Sequence, residues 1–317
     1  MHPPPSRLKL LSAFAAVYIV WGSTYLAIRI AIETIPPFLM ASLRFFVAGG
    51  MLYFWARFRS AERPTSAHWK STAIIGLMLL MVGNGGLSWS EKLIPSGIAA
   101  LIVAVTPLWF VLLEWLERGK RPTAGVALGL ILGTLGIAFL IDPANLVGGV
   151  KIDTLAAAVL LGSSICWAFG SMYSRRAVLP SSPPLANGME MIFGAIGLLV
   201  LSALTGEFNS LHLSAVTGRS LLAVGYLVVF GSIIGFSSYV WLFRATTPSR
   251  ASTYAYVNPV VAVFIGWLFA GEPLQGRVLA AGALIVAAVA AITVLGTRKS
   301  SRQMKELANE EGKAVHE

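Results

Sequence analysis

The sequence predicts an all-α polytopic membrane protein whose ten transmembrane helices form a 5+5 inverted repeat. Three observations carry this prediction. Of 317 residues, 56% are hydrophobic and only 12% charged, whereas soluble domains carry about 25% charged residues. Ten apolar stretches each approach the roughly 20 residues needed to cross a bilayer. The second half of the chain also repeats landmarks of the first at a nearly constant offset.

The first stretch, 10–30, follows Arg7 and Lys9, as the apolar core of a signal peptide would. It is longer than such a core and holds Trp21 and Tyr25, so it reads as a retained span. Stretches 38–56, 71–90, 96–116 and 123–141 complete the first half. Stretches 154–174, 185–205, 220–242, 251–270 and 278–296 form the second. Short connections carry turn chemistry: Pro36-Pro37, Gly148-Gly149 and Pro183-Pro184. The chain thus divides into an N-terminus (1–9), a first repeat (10–141), an outer linker (142–153), a second repeat (154–296) and a tail (297–317). The tail is basic, lacks an apolar face and is expected to be disordered.

Eighteen of the 24 lysines and arginines fall on the N-terminal side of the membrane, five on the other, and Arg44 within a span. The positive-inside bias therefore places both termini in the cytoplasm. The net charge of +10 is spread in short clusters between apolar runs, which argues against a nucleic-acid partner. The single cysteine, Cys166, lies in an apolar run and allows no internal disulfide.

The halves match in order. Trp21 and Arg29 recur as Trp167 and Arg175, 146 residues on. Trp89, Lys92, Pro107, Trp115 and Gly119 recur as Trp241, Arg244, Pro259, Trp267 and Gly271, 152 residues on. Five spans per half is an odd number, so the second half enters the membrane inverted. Repeats of this kind build secondary transporters, with the site near the midplane between them.

Pro107 and Pro259 lie mid-span. A proline inside a helix frees the carbonyl four residues earlier, here those of Val103 and Ala255. At that depth, free backbone is tolerated only where it is buried in protein or lines a watery cavity. The paired helix breaks therefore predict a central cavity lined by spans 4 and 9. The alternative is a packing kink in each helix.

Trp21 and Trp167 sit halfway through spans 1 and 6, away from the interfacial belt. They stack on a substrate or join helices, and Tyr25, one turn on, shares the face of Trp21. Asn84 and Asn258 are amides in apolar spans, able to bond a substrate or to cap freed carbonyls. Tyr254 and Tyr256 point to different helix faces, so at most one of them lines a cavity. Trp89, Trp115, Trp241 and Trp267 lie near span ends, where interfacial anchoring is expected.

Charges within a bilayer mark functional sites by default. Arg44 and Glu190 lie well inside spans at equivalent repeat positions, while Glu91 and Glu114 lie near ends. Inversion separates Arg44 and Glu190 in depth by about 13 Å, which argues against an ion pair. The reading is coupling or gating: Arg44 draws an anionic group such as a carboxylate, and Glu190 takes part in proton coupling. Snorkelling without function is the alternative. Gly125, Gly129 and Gly133 in span 5 and Ala283, Ala287 and Ala291 in span 10 form small-residue ridges. Such ridges join helices 5 and 10 within one chain or in a homodimer.

The sequence lacks a G-x-x-x-x-G-K-[ST] loop, HExxH, GxSxG and any carboxylate pair within spans; its four histidines lie outside them. No enzyme chemistry, cofactor or metal site is expected. The partners expected are the lipid bilayer, a small-molecule substrate, and protons or a counter-substrate.

Three stretches carry a family likeness: VYIVWGSTYLAIRIAIETIPPFLMASLRF (17–45), NGGLSWSEKLIPSGIAALIVAVTPL (84–108) and TYAYVNPVVAVFIGWLFAGEP (253–273). They resemble the EamA family of the drug/metabolite transporter superfamily, in particular its YedA-like bacterial members, and the likeness extends over 10–296. The loop GKRP at 119–122 departs from the more family-like GEPL at 271–274. The resemblance implies a bacterial inner-membrane carrier, often an exporter of amino acids or similar metabolites. Its cavity is expected from helices 1, 3, 4, 6, 8 and 9. The expectation is secondary-active export by alternating access. Import or facilitation, and a non-transporting scaffold or sensor, stay open. The paired prolines favour transport, because a scaffold needs no broken midplane helices.

Overall fold

The structure, a computed structural model, describes residues 6–59, 62–94, 99, 102–119, 121–141, 153–270 and 276–292. The helices are, in order, α1 (Arg7–Ala31), α2 (Pro37–Phe58), α3 (Ser66–Ser90), α4 (Thr106–Arg118) and α5 (Ala124–Ile141). They continue as α6 (Thr154–Ser174), α7 (Pro183–Leu204), α8 (Gly218–Ala245), α9 (Tyr254–Ala270) and α10 (Gly276–Ala290). Among the described residues no strand occurs, and α1, α2, α3, α6, α7 and α8 are long and apolar enough to cross a bilayer. The tail at 297–317, the 271–274 loop and all of the linker but Asp153 lie outside the described residues.

Helix starts follow from local chemistry. Ser6, Asp153 and Thr217 accept hydrogen bonds from the backbone N–H groups of Lys9, Ala156 and Ser220, satisfying donors that a first turn leaves free. Thr65 and His68 cap α3 reciprocally. α2 and α7 begin instead on prolines and have no side-chain cap of their own. A distant carboxylate does this for α2. The N–H groups of Phe38 and Leu39 donate to Glu207 Oε1 and Oε2 at 3.2 and 2.9 Å. At α7 the Ser181 N–H, just before the helix, donates to Glu62. That bond holds the exposed Glu62 carboxyl below the usual carboxylate range. Each carboxylate thus reaches from one repeat to the start of the other repeat's second helix. Glu207 is buried, so Glu207→Ala should cost about 2 kcal/mol, the worth of hydrogen bonds to a charged group. Thermal unfolding in mild detergent would read this as a lowered Tm.

Packing has approximate two-fold symmetry. α2 lies against α7 and α5 against α10. The contact of α1 with α9 is matched by that of α6 with α4, and α1 with α8 by α6 with α3. The contact of α2 with α8 is matched by α7 with α3. α3 and α8 share an irregularity, wide π-helical turns at Leu77–Asn84 and Leu227–Phe236.

Glycines set the closest crossings. A Cβ at Gly49 would lie 2.9 Å from the Gly188 carbonyl oxygen, and one at Gly129 would lie 2.8 Å from that of Ala288. The Gly129 ridge of α5 is therefore used against α10 within one chain. On α10 and just past its end, Ala288, Ala291 and Ile292 are buried, while Ala283 and Ala287 are exposed. Large apolar side chains such as Phe46, Phe54, Val200 and Leu204 are exposed, as suits a bundle whose outer solvent is lipid.

Candidate functional site

Between the two halves lies a narrow cavity with about 70 Å³ of free volume, below the roughly 300–1,000 Å³ usual for small-molecule sites. Four helices supply most of its wall. α1 gives Trp21, Thr24, Tyr25 and Ile28; α3 gives Gly83, Asn84 and Leu87. α6 gives Leu160, Ser163, Ser164 and Trp167, and α9 gives Tyr254 and Asn258. Thr106 of α4, Val103 just before it, and Arg44 of α2 complete the lining. The family likeness implied helix 8 but not helix 2. Here α2 contributes Arg44, while α8 stands behind the wall and holds the lining groups in place.

An aromatic box forms the centre. The Trp21 ring lies 5.0 Å from those of Tyr239 and Tyr254 and 5.7 Å from that of Trp167. The Trp21–Trp167 and Trp21–Tyr254 pairs are edge-to-face, a preferred aromatic geometry. Both indole N–H groups are already used. Trp21 Nε1 donates to the Gly231 carbonyl at 3.2 Å, and Trp167 Nε1 donates to the Tyr239 hydroxyl at 2.9 Å. Tyr239 also bonds Ser171 at 2.7 Å. The tryptophans are therefore oriented from behind by α8 and offer ring surface to the cavity. Glycines make room: a Cβ at Gly235 would lie 2.5 Å from Trp21 Nε1, and one at Gly83 would lie 2.7 Å from Trp167 Cε3.

Arg44 is held along one edge. Its Nε donates to Ser232 Oγ at 2.8 Å, and its guanidinium lies 4.5 Å from the Phe45 ring centroid. Its Nη1 is buried and has no hydrogen-bond partner among the described residues. The π-helical turns of α8 thus present two anchors in a row, the Gly231 carbonyl to Trp21 and the Ser232 hydroxyl to Arg44. The lining hydroxyls spend their protons on backbone: Thr24 on Trp21, Ser163 on Val82, Ser164 on Leu161 and Thr106 on Val103.

Of the residues singled out in the sequence, Trp21, Tyr25, Asn84, Trp167, Tyr254, Asn258 and Arg44 meet at this cavity. Tyr256 does not line it. Its ring packs with Ala104, Ile285 and Ile292, over Gly133 of α5. Two residues along a helix turn a side chain by roughly 200° at 3.6 residues per turn, so Tyr254 and Tyr256 cannot share a face. Glu190 does not line the cavity either. It is fully buried on α7, its backbone carbonyl faces Gly76 of α3, and neither carboxylate oxygen has a hydrogen-bond partner among the described residues. Arg44 and Glu190 form no ion pair.

The prolines shape the cavity without lining it. Pro259 lies inside α9, as expected, but Pro107 sits in the first turn of α4 rather than mid-helix. The chain turns at Ala104 and Val105 and the helix starts afresh, because proline fits a first turn, where its missing N–H costs nothing. The Val103 carbonyl is taken by the Thr106 hydroxyl. In α9, with the Asn258 amide assigned so that its nitrogen donates, that nitrogen reaches the carbonyls of Tyr18 and Tyr254 at 3.2 and 3.1 Å. Asn258 therefore joins α9 to α1 while one side of it borders the cavity.

Near the helix ends, Trp89 and Trp241 are partly buried against the core and Trp115 is exposed. Lys9 lies over the Trp241 ring at 4.9 Å. The Trp267 side chain lies outside the described residues. Sequence reasoning missed Thr24, Ser163, Ser164, Thr106 and the supporting Tyr239 and Ser232. The Ser163-Ser164 pair in an apolar span, and Thr24 three residues from Trp21, were the available signals.

Comparison with known proteins gives the family. The model of the EamA-like transporter family matches residues 8–142 and 154–294. The Escherichia coli inner membrane transporter YedA is 41% identical over 292 residues, covering 90% of this chain and 91% of its own. The Bacillus subtilis transporter YvbV is 26% identical, over 90% of this chain and 91% of its own. A solved crystal structure superimposes with a TM-score of 0.71 at 21% identity, covering 93% of this chain and 99% of that one, and so shares the fold. With both repeats matched, this chain belongs to the EamA-like transporter family.

Proposed function

We propose that the protein is a secondary-active carrier of the bacterial inner membrane, with ten spans and both termini cytoplasmic. It exports amino acids or similarly small metabolites by alternating access, using a proton gradient or a counter-substrate. One observation carries this reading: the cavity between the halves takes its wall from equivalent helices of both, α1 with α6 and α4 with α9. Rocking of two such halves around a fixed site is how inverted repeats expose it to either side.

One matched pair of arginines differs between the repeats. Arg175, at the end of α6, donates to the carbonyls of Phe243 and Thr246 at 3.0 Å each, tying α6 to the end of α8. Arg29, its counterpart on α1, is exposed and lies within electrostatic reach of Glu91, just past the end of α3.

The test is flux in proteoliposomes loaded with a labelled compound. Saturable efflux, accelerated by unlabelled compound outside, is expected of a carrier. Flux that never saturates would indicate a channel, and no flux of any compound by folded protein would favour a scaffold or sensor.

A further inference from the structure

We infer that the cavity takes a small molecule bearing a carboxylate, or a similar singly charged oxyacid group, seated on Arg44, and carrying no ammonium group. This rests on the carrier reading and, within its small metabolites, sets amino acids aside in favour of organic acids without an ammonium.

Arg44 is only 3% exposed and is the one charged side chain among the described residues of the lining. Burying a charge is costly unless it is paired, yet its bonds are to a neutral hydroxyl and a ring face. Nη1 is left without a partner among the described residues. The Ser232 bond fixes the guanidinium by its Nε edge, so the arginine is positioned rather than satisfied. A carboxylate is the planar acceptor that matches a guanidinium.

The rest of the wall sets the remainder of the molecule. The hydroxyl protons of Thr24, Ser163, Ser164 and Thr106 are spent on backbone carbonyls. Asn84 adds an amide to the lining, and Trp21, Trp167 and Tyr254 supply ring surface for an apolar or aromatic body. Among the described residues no aspartate or glutamate lines the cavity. Glu91 is buried within electrostatic reach of Tyr25 but is not part of the wall. An ammonium would therefore enter without a counter-charge to touch. The lining selects an organic acid over an amine, and over an amino acid whose ammonium would stay uncompensated.

Four probes with one carbon skeleton separate these charges: 3-phenylpropionate, phenylalanine, 3-phenylpropylamine and 3-phenylpropanol. Binding to the purified full chain would be measured by thermal shift and calorimetry. The propionate is expected to bind best. Arg44→Met should weaken it about 10- to 100-fold, the loss of one charge-assisted hydrogen bond, while Arg44→Lys should retain part of the affinity. Ser232→Ala, which frees the guanidinium without removing it, should weaken binding less than Arg44→Met and guards against misfolding as the cause. Preference for the amine or the alcohol, undiminished propionate binding by a folded Arg44→Met, or no propionate binding at millimolar concentration would overturn the assignment. Flux independent of Arg44 would overturn the substrate class and leave the carrier reading. Arg44-dependent binding without flux would do the reverse.

Discussion

Gly76→Val is expected to destabilise the protein by at least about 3 kcal/mol, the upper range for overpacking. A Cβ at Gly76 would lie 2.1 Å from the Glu190 carbonyl oxygen and 3.1 Å from the Gly194 nitrogen. The obstacle is backbone on both counts, so no side chain can swing aside and α3 must part from α7. Gly50→Val is the control. Nothing lies within 4 Å of a Cβ there, so its effect should stay within about 0.5 kcal/mol. Thermal unfolding in detergent, with size-exclusion to confirm a monodisperse fold, compares the two. Equal stability of both variants would contradict the packing described for α3 and α7.

Trp21→Ala should lower transport at least about 100-fold and stability by roughly 3 kcal/mol, the low end for truncating a core tryptophan, because the ring is only partly buried. The ring contacts Trp167, Tyr239 and Tyr254, and its N–H is the donor to the Gly231 carbonyl. Its loss opens the box and leaves that carbonyl without its donor. Trp21→Phe keeps a ring but no donor. It should fold, with transport reduced about tenfold, the cost of one hydrogen bond near 1.4 kcal/mol. Initial rates in proteoliposomes, corrected for folded protein, measure both. Wild-type flux in Trp21→Ala would remove the aromatic box from the transport path.

The helices were legible in composition and in the positions of proline and tryptophan. Trp21 and Trp167 were legible as mid-span tryptophans, and the structure brings both to one cavity. The π-helical turns of α3 and α8 were not legible, since apolar runs carry no signal for a wider turn. For the same reason the anchoring of Arg44 by Ser232 could not be read. Glu190 looked like a coupling residue by repeat position, but its turn of α7 packs on α3 backbone rather than on the cavity. Burial of that kind depends on packing that a position count does not supply. The cap of Glu207 on α2 joins residues far apart in sequence and leaves no local mark.

The most direct test of the central claim is access to the cavity from each side. Asn84→Cys, in a Cys166→Ser background, would be exposed to a membrane-impermeant methanethiosulfonate from either face of oriented vesicles. The account predicts modification from both faces, with 3-phenylpropionate slowing both, and faster cytoplasmic modification when Arg175→Gln removes the bond to α8. Modification from one face only, in every condition and in both backgrounds, would contradict alternating access.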